Sequence, residues 1–177
     1  MINRRTLLQL GAATGIGLQS GPILSKNQEK TSLSDSVPGI RAYNQLGRTG
    51  LNISDISFGS SQSSDPDLVR HALDRGVTYF DTAESYRFGT SEVAIGEGLS
   101  GVRDRVILAS KTKAGPNANR AVIMRALEGS LRRLKTDYLD VYFNHAVNDV
   151  ARMRNEEWWE FTRLAKQQGK IRFCGMS

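Results

Sequence analysis

Val77-Thr78-Tyr79-Phe80-Asp81-Thr82-Ala83-Glu84-Ser85-Tyr86 is the stretch on which the fold turns. An apolar-rich run of strand length, Val77 to Ala83, gives way to a polar turn and then to a helical pattern. The same order recurs after Val106 to Thr112 and after Asp140 to Ala146. Strands alternating with helices predict an α/β protein with a parallel sheet. Further strand starts at about 53 and about 171 extend the pattern to four strand-helix units and the opening of a fifth. In a barrel of such units the chemistry sits at the carboxyl ends of the strands. Asp81, Tyr86, Lys111 and His145 all fall at or just after those ends.

Several separated segments, in order, carry a resemblance. They are Tyr43-Asn44-Gln45-Leu46-Gly47-Arg48-Thr49-Gly50-Leu51, then Tyr79 to Tyr86, then Ala109-Ser110-Lys111-Thr112, then Ala126 to Asp140 and Gly169-Lys170-Ile171-Arg172. This set resembles the aldo-keto reductase superfamily, most clearly its bacterial and potassium-channel-subunit-like branches, and covers nearly everything from Tyr43 to Ser177. The resemblance implies a (β/α)8 TIM barrel preceded by a β-hairpin. We expect that hairpin over Arg41 to Ile53, turning through Gly47-Arg48-Thr49-Gly50 and plugging the bottom of the barrel. A complete barrel of this kind needs about 250 residues. The barrel domain, residues 41–177, is therefore expected to be the N-terminal part, about four and a half units, of a larger or truncated gene product.

Reducing a carbonyl requires a hydride on one face of the carbon and a proton donor at the oxygen, where negative charge develops. A free phenol titrates near ~10, too high for efficient proton transfer at neutral pH, and a neighbouring ammonium favours the phenolate. Lys111 is the candidate neighbour, and Asp81 would hold its ammonium charged and oriented. By resemblance, Tyr86 is the general acid/base, Lys111 and Asp81 its tuning pair, and His145 the group that orients the substrate oxygen. Each has a plainer alternative: an Asp-Lys pair serves equally as a structural ion pair, and a strand-end His as a hydrogen-bonding residue. Lys113 competes with Lys111, being two residues on. Tyr79 and Tyr142 lie inside strands and read as packing residues; His71, on the first helix, reads as structural.

The resemblance further implies NADP(H) or NAD(H), with NADP(H) preferred, lying along the barrel mouth, and no G-x-G-x-x-G follows any strand. By the same resemblance Gly59 and Ser60 after the first strand, Asp81, and Ser177 contact the cofactor, and the substrate is a small carbonyl or alcohol. A noncatalytic barrel, binding or regulatory, stays open beside the enzyme.

Residues 1–40 read as an export signal and polar linker. Asn3-Arg4-Arg5-Thr6-Leu7-Leu8 opens a stretch without charge after Arg5 through Leu18, which looks like a twin-arginine signal and predicts an exported or periplasmic protein. The apolar part, Thr6 to Leu18, is shorter than the ~20 residues a membrane-spanning helix needs, so no stable span is expected. The net charge of +6 divides between this end, where Arg4, Arg5, Lys26 and Lys30 outweigh Glu29, and helix faces such as Arg125, Arg132, Arg133 and Lys135. A solvated helix face explains the latter better than a nucleic-acid footprint. Two histidines and the single Cys174, without ligand spacing, point away from a metal site. Cys174 is expected in a buried strand, and at least one of Trp158 and Trp159 against the sheet.

Overall fold

A computed structural model describes residues 39–177; the expected export signal and most of the linker lie outside them. A two-stranded antiparallel hairpin comes first, β1 (Tyr43–Gln45) and β2 (Asn52–Ser54). Then β3 (Phe58–Gly59), β4 (Tyr79–Asp81), β5 (Ile107–Thr112), β6 (Leu139–Asn144) and β7 (Ile171–Met176) form one parallel sheet in sequential order. Between them lie α1 (Pro66–Asp74), α2 (Thr90–Gly98), α3 (Arg120–Leu134), the single turn α4 (Val150–Met153) and α5 (Glu156–Gln167). This is a partial TIM barrel. The strand expected from about residue 53 is corrected: Asn52–Ser54 belongs to the hairpin, and the first barrel strand begins at Phe58. A run from Asn52 to Gly59 reads continuously in sequence, but Ser54 and Thr78 exchange hydrogen bonds, Ser54 N to Thr78 Oγ1 at 2.9 Å and Thr78 N to Ser54 Oγ at 3.0 Å. These tie the hairpin to the chain entering β4, and β3 pairs separately beyond.

Because strand side chains alternate, the sheet has two apolar faces. Tyr79, Ile107, Ala109, Val141, Phe143 and Phe173 point to the inner one, where Leu46 and Leu51 of the hairpin join them. The hairpin thus closes the sheet at the amino ends of its strands, as expected. Phe80, Leu108 and Tyr142 point outward and pack under the helices with Ile123, Leu127, Trp158 and Phe161. Trp158 is buried and lies 6.3 Å from Tyr142 between ring centroids, whereas Trp159 is half exposed. Cys174 also packs on the outer layer but is only partly buried, since β7 lies at one end of the strand order.

Four of the five helices start on a polar cap: Asp65 accepts from Asp67 N, Asn119 from Val122 N, Asp149 from Arg152 N and Asn155 from Glu157 N, whereas α2 starts at Gly89 without a side-chain cap. Such caps satisfy amides that would otherwise lack partners, worth about 1 kcal/mol each. Helix α2 sits tightly between its neighbours because of two glycines. A Cβ at Gly96 would stand 2.6 Å from the Leu134 carbonyl oxygen, and one at Gly98 would stand 2.5 Å from the Val69 Cβ. None of the helices among the described residues is long and apolar enough to cross a membrane.

Candidate active site

The alternation that builds the inner face also builds the site. Continuing Tyr79, Ile107-Ala109 and Val141-Phe143 by one step along each strand gives Asp81, Lys111 and His145. The register staggers them: Asp81 pairs with Ala109, Lys111 with Phe143, and His145 follows beyond the end of β6. Three inward-facing polar residues therefore stand on successive steps above an apolar floor. Tyr86 reaches the same place from the tight turn Tyr86–Gly89 between β4 and α2.

The Lys111 ammonium is buried and touches all the neighbours that matter. It donates to Asp81 Oδ1 and to the Thr82 carbonyl at 2.8 Å, and lies 3.4 Å from the Tyr86 hydroxyl. Its charge also stands 4.8 Å from the Tyr86 ring centroid. The His145 ring meets that of Tyr86 edge-on, 5.5 Å between centroids. Burial, then the cations Lys111 and Lys113, hold the His145 imidazole below its ordinary value; Asp81 works in the opposite direction. A neutral imidazole offers one N–H donor and one lone pair. His145 Nδ1 is buried with no hydrogen-bond partner among the described residues.

The structure brings together Asp81, Tyr86, Lys111 and His145 from three separate stretches of chain, Asp81 and Tyr86 sharing one, and leaves their rivals elsewhere. Lys113 lies past the end of β5, exposed. The Tyr79 phenol is pushed up to about 12 by burial and by the Asp81 and Asp140 carboxylates, which makes it a poor proton-transfer group. Burial likewise pushes Tyr142 well above the ordinary phenol. His71 sits in the last turn of α1.

Of the expected cofactor contacts, Gly59 ends β3 exactly opposite Asp81 in register and is exposed, with nothing within 4 Å of where a Cβ would stand. Ser60 is different. The residue is 1 % exposed and its Oγ has no partner among the described residues, while its amide donates to the Asp81 carbonyl and its carbonyl accepts from Ser91. Ser177 follows β7; its Oγ accepts from Ala146 N at 3.4 Å and its carbonyl from Val147 N at 2.7 Å. An open glycine, an orphaned hydroxyl and an exposed serine around Asp81 and His145 fit a polar, planar group at the mouth. Among the described residues no cluster of His, Cys, Asp and Glu is arranged to hold a metal.

Sequence reasoning missed two residues. Glu84, half-buried, accepts a short hydrogen bond from Thr112 Oγ1 and donates its amide to the Lys111 carbonyl, joining the β4 turn to the end of β5. Arg152 reaches from α4 over the ends of β5 and β6. Glu84 lies within the Tyr79 to Tyr86 stretch that marks the site; Arg152 carries no such signal, because three of its four acceptors are backbone carbonyls.

The Aldo/keto reductase family model matches residues 46–177. The aldo-keto reductase YhdN of Bacillus subtilis is 36% identical over 155 residues, covering 76% of this chain and 46% of that protein. The holo form of an aldo-keto reductase from Bacillus halodurans superposes with a TM-score of 0.65 at 34% identity, covering 76% of this chain and 49% of that one. An aldo-keto reductase from Klebsiella pneumoniae in complex with NADPH gives a TM-score of 0.60 at 35% identity, covering 72% and 46%. The chain spans about half the length of the relatives it matches. A partial barrel with a buried lysine, a carboxylate, a tyrosine and a histidine at its mouth is thus matched by a family model over most of its length, and the chain belongs to the aldo/keto reductase family.

Proposed function

We propose that the intact protein carrying this chain is an NAD(P)(H)-dependent oxidoreductase that interconverts small carbonyls and alcohols. The observation that carries the reading is the contact of the Lys111 ammonium with both Asp81 and the Tyr86 hydroxyl, beneath a half-buried His145. The nicotinamide, when bound, supplies the hydride to the carbonyl carbon or removes it from the alcohol. Tyr86 transfers the proton at the substrate oxygen; Lys111 stands against its hydroxyl, and Asp81 keeps Lys111 in place. His145, neutral, has one N–H to offer the same oxygen. Gly59, Ser60, Asp81 and Ser177 would hold the nicotinamide end. NADP(H) is preferred, on the strength of relatives whose solved structures contain it.

The test is direct. Tyr86→Phe in the intact protein keeps the ring and removes the proton, so NADPH-dependent reduction of a test aldehyde should fall by at least the ~100-fold typical of lost general acid catalysis, with NADPH binding retained. Equal turnover by the two proteins would take Tyr86 out of its role and favour the noncatalytic, binding or regulatory barrel. Arg4-Arg5 supports export by the twin-arginine route. Replacing both with lysine should retain the protein in the cytoplasm on fractionation.

A further inference from the structure

Arg152 is the most heavily engaged side chain at the mouth. Its Nε donates to the Ala114 carbonyl at 2.9 Å, one terminal nitrogen donates to the Ala146 carbonyl at 2.6 Å, and the other to Asn144 Oδ1 and the His145 carbonyl, both at 2.8 Å. Four of the five N–H groups of a guanidinium are thus used. The acceptors lie at the last residue of β6 and on the two loops that leave β5 and β6.

Other contacts hold the flanks of these loops: Asn155 Nδ2 donates to the Gly115 and Ala118 carbonyls, and Ser177 meets the Asn144 carbonyl and the Ala146 and Val147 amides. His145 receives support on one side only, its amide donating to the Thr112 carbonyl at 2.8 Å. Its Nδ1, the atom by which a protein commonly fixes an imidazole, has no partner among the described residues. Ala146 lies at φ +52, a left-handed conformation that a residue with a Cβ adopts at an energetic cost. Among the described residues the Asn144 side-chain nitrogen is buried without a partner, so its side chain is anchored by the oxygen that meets Arg152. The turn that aims His145 is strained; Ser177 holds Asn144, Ala146 and Val147 beside it, and Arg152 is the side chain that bonds His145 itself together with Asn144 and Ala146.

We propose that Arg152 is a positioning residue for His145: its guanidinium, spread across Ala114, Asn144, His145 and Ala146, fixes where the imidazole stands over Tyr86. This rests on the reading of the mouth as a reductase site. A lysine cannot replace it, since an ammonium lacks the planar fork needed to meet acceptors in three directions. The charge has a separate effect. The groups facing the imidazole are Lys111 and Lys113 of the β5 end, Asp81 of β4, Tyr86 of the following turn and Arg152 of α4, so removing one cation makes protonation easier.

Arg152→Lys and Arg152→Gln separate fork from charge, and two readouts separate this proposal from the reading beneath it. The first is independent of activity. The chain has only two histidines, so the His145 ring is followed by NMR with His71 as internal reference. The edge-on contact with Tyr86 predicts a ring-current shift of a His145 proton, absent in Tyr86→Leu. Both Arg152 variants should lose that shift while remaining folded by circular dichroism; the His145 midpoint should rise in Arg152→Gln and stay near the native value in Arg152→Lys. The second readout is steady-state reduction in the intact protein. Both variants should lose at least ~10-fold in kcat with KM for NADPH unchanged, against the ~100-fold that a displacement of ~1 Å can cost. A folded Arg152→Lys that keeps the ring-current shift overturns the proposal, whatever the activity. Lost shift with native kcat overturns it too. Should the native intact protein reduce no carbonyl, the reductase reading fails, and the NMR result still decides whether Arg152 aims the ring.

Discussion

The two ends of the parallel sheet treat buried polar groups in opposite ways. At the amino ends, the Asp140 carboxylate is 1 % exposed and accepts from Arg103 at 2.8 Å, from Arg172 at 2.7 Å and from the Leu108 amide at 2.9 Å. Arg103 in turn donates to Thr136 and to the Val106 and Tyr138 carbonyls, and lies over the Tyr138 ring. At or beside the carboxyl ends, Ser60 Oγ, Thr82 Oγ1, Asn144 Nδ2 and His145 Nδ1 are buried without a partner among the described residues. A buried charge with all its bonds made is fixed and chemically quiet. Unpartnered polar atoms lower stability but remain available to a ligand. One end of the sheet is built to hold and the other to bind.

The contrast fails most visibly if Asp140 proves unimportant. Asp140→Ala strands Arg103 and the Leu108 amide and should cost about 3 kcal/mol in urea unfolding, the low end for breaking a buried pair because the Arg172 side chain is half exposed. A loss under about 1 kcal/mol would mean the amino end is no better consolidated than the mouth. Lys111→Met should show the reverse balance. Carbonyl reduction by the intact protein should fall ~100-fold, while the stability loss stays below that of Asp140→Ala, because the Asp81 side chain left behind is 26% exposed and can be hydrated. A larger stability loss than that of Asp140→Ala would recast the Asp81–Lys111 pair as structural.

Two smaller effects sharpen the picture. Asn119 caps α3 on the mouth side, with Oδ1 3.0 Å from Val122 N, so Asn119→Ala should cost about 1 kcal/mol in urea unfolding. That would show that the helices framing the mouth are conventionally stabilised even though its centre is not. The smallest effect concerns pH. The folded His145 binds its proton at lower pH than the unfolded chain does, so the unfolded state holds more protons between the two values. Stability from this group is complete above the unfolded value of ~6.5 and is lost as pH falls through it toward the folded value. Urea midpoints at pH 7.5 and 5.5 should therefore diverge more in the native chain than in His145→Gln. Equal divergence would mean the mouth does not disfavour charge on the imidazole.

Much of this was legible in advance because period-2 patterns are local. Tyr79-Phe80-Asp81 and Ile107 through Lys111 show their two faces in the sequence, and the end of each pattern marks the mouth. The hairpin was legible from its glycines, Gly47 and Gly50, both at positive φ. The split between Asn52–Ser54 and Phe58–Gly59 was not, because it depends on Ser54 finding Thr78 across 24 residues. Likewise nothing in the letters separates Trp158 from Trp159; the angle at which α5 meets Tyr142 does.

By itself the sequence determined the repeating strand-helix order, the residue types at each strand end and the candidate group Asp81, Tyr86, Lys111 and His145, since each is set by neighbours a few residues away. Only the tertiary structure decided which atoms meet: that the register staggers Asp81, Lys111 and His145 on successive inward steps, that Ser60 turns its hydroxyl into the protein, and that Arg152 spans the loops around His145. The physical reason is that hydrogen bonds to backbone carbonyls leave no mark in composition or spacing. Every residue carries such an acceptor, and only the folded path of the chain determines which of them a distant guanidinium can reach.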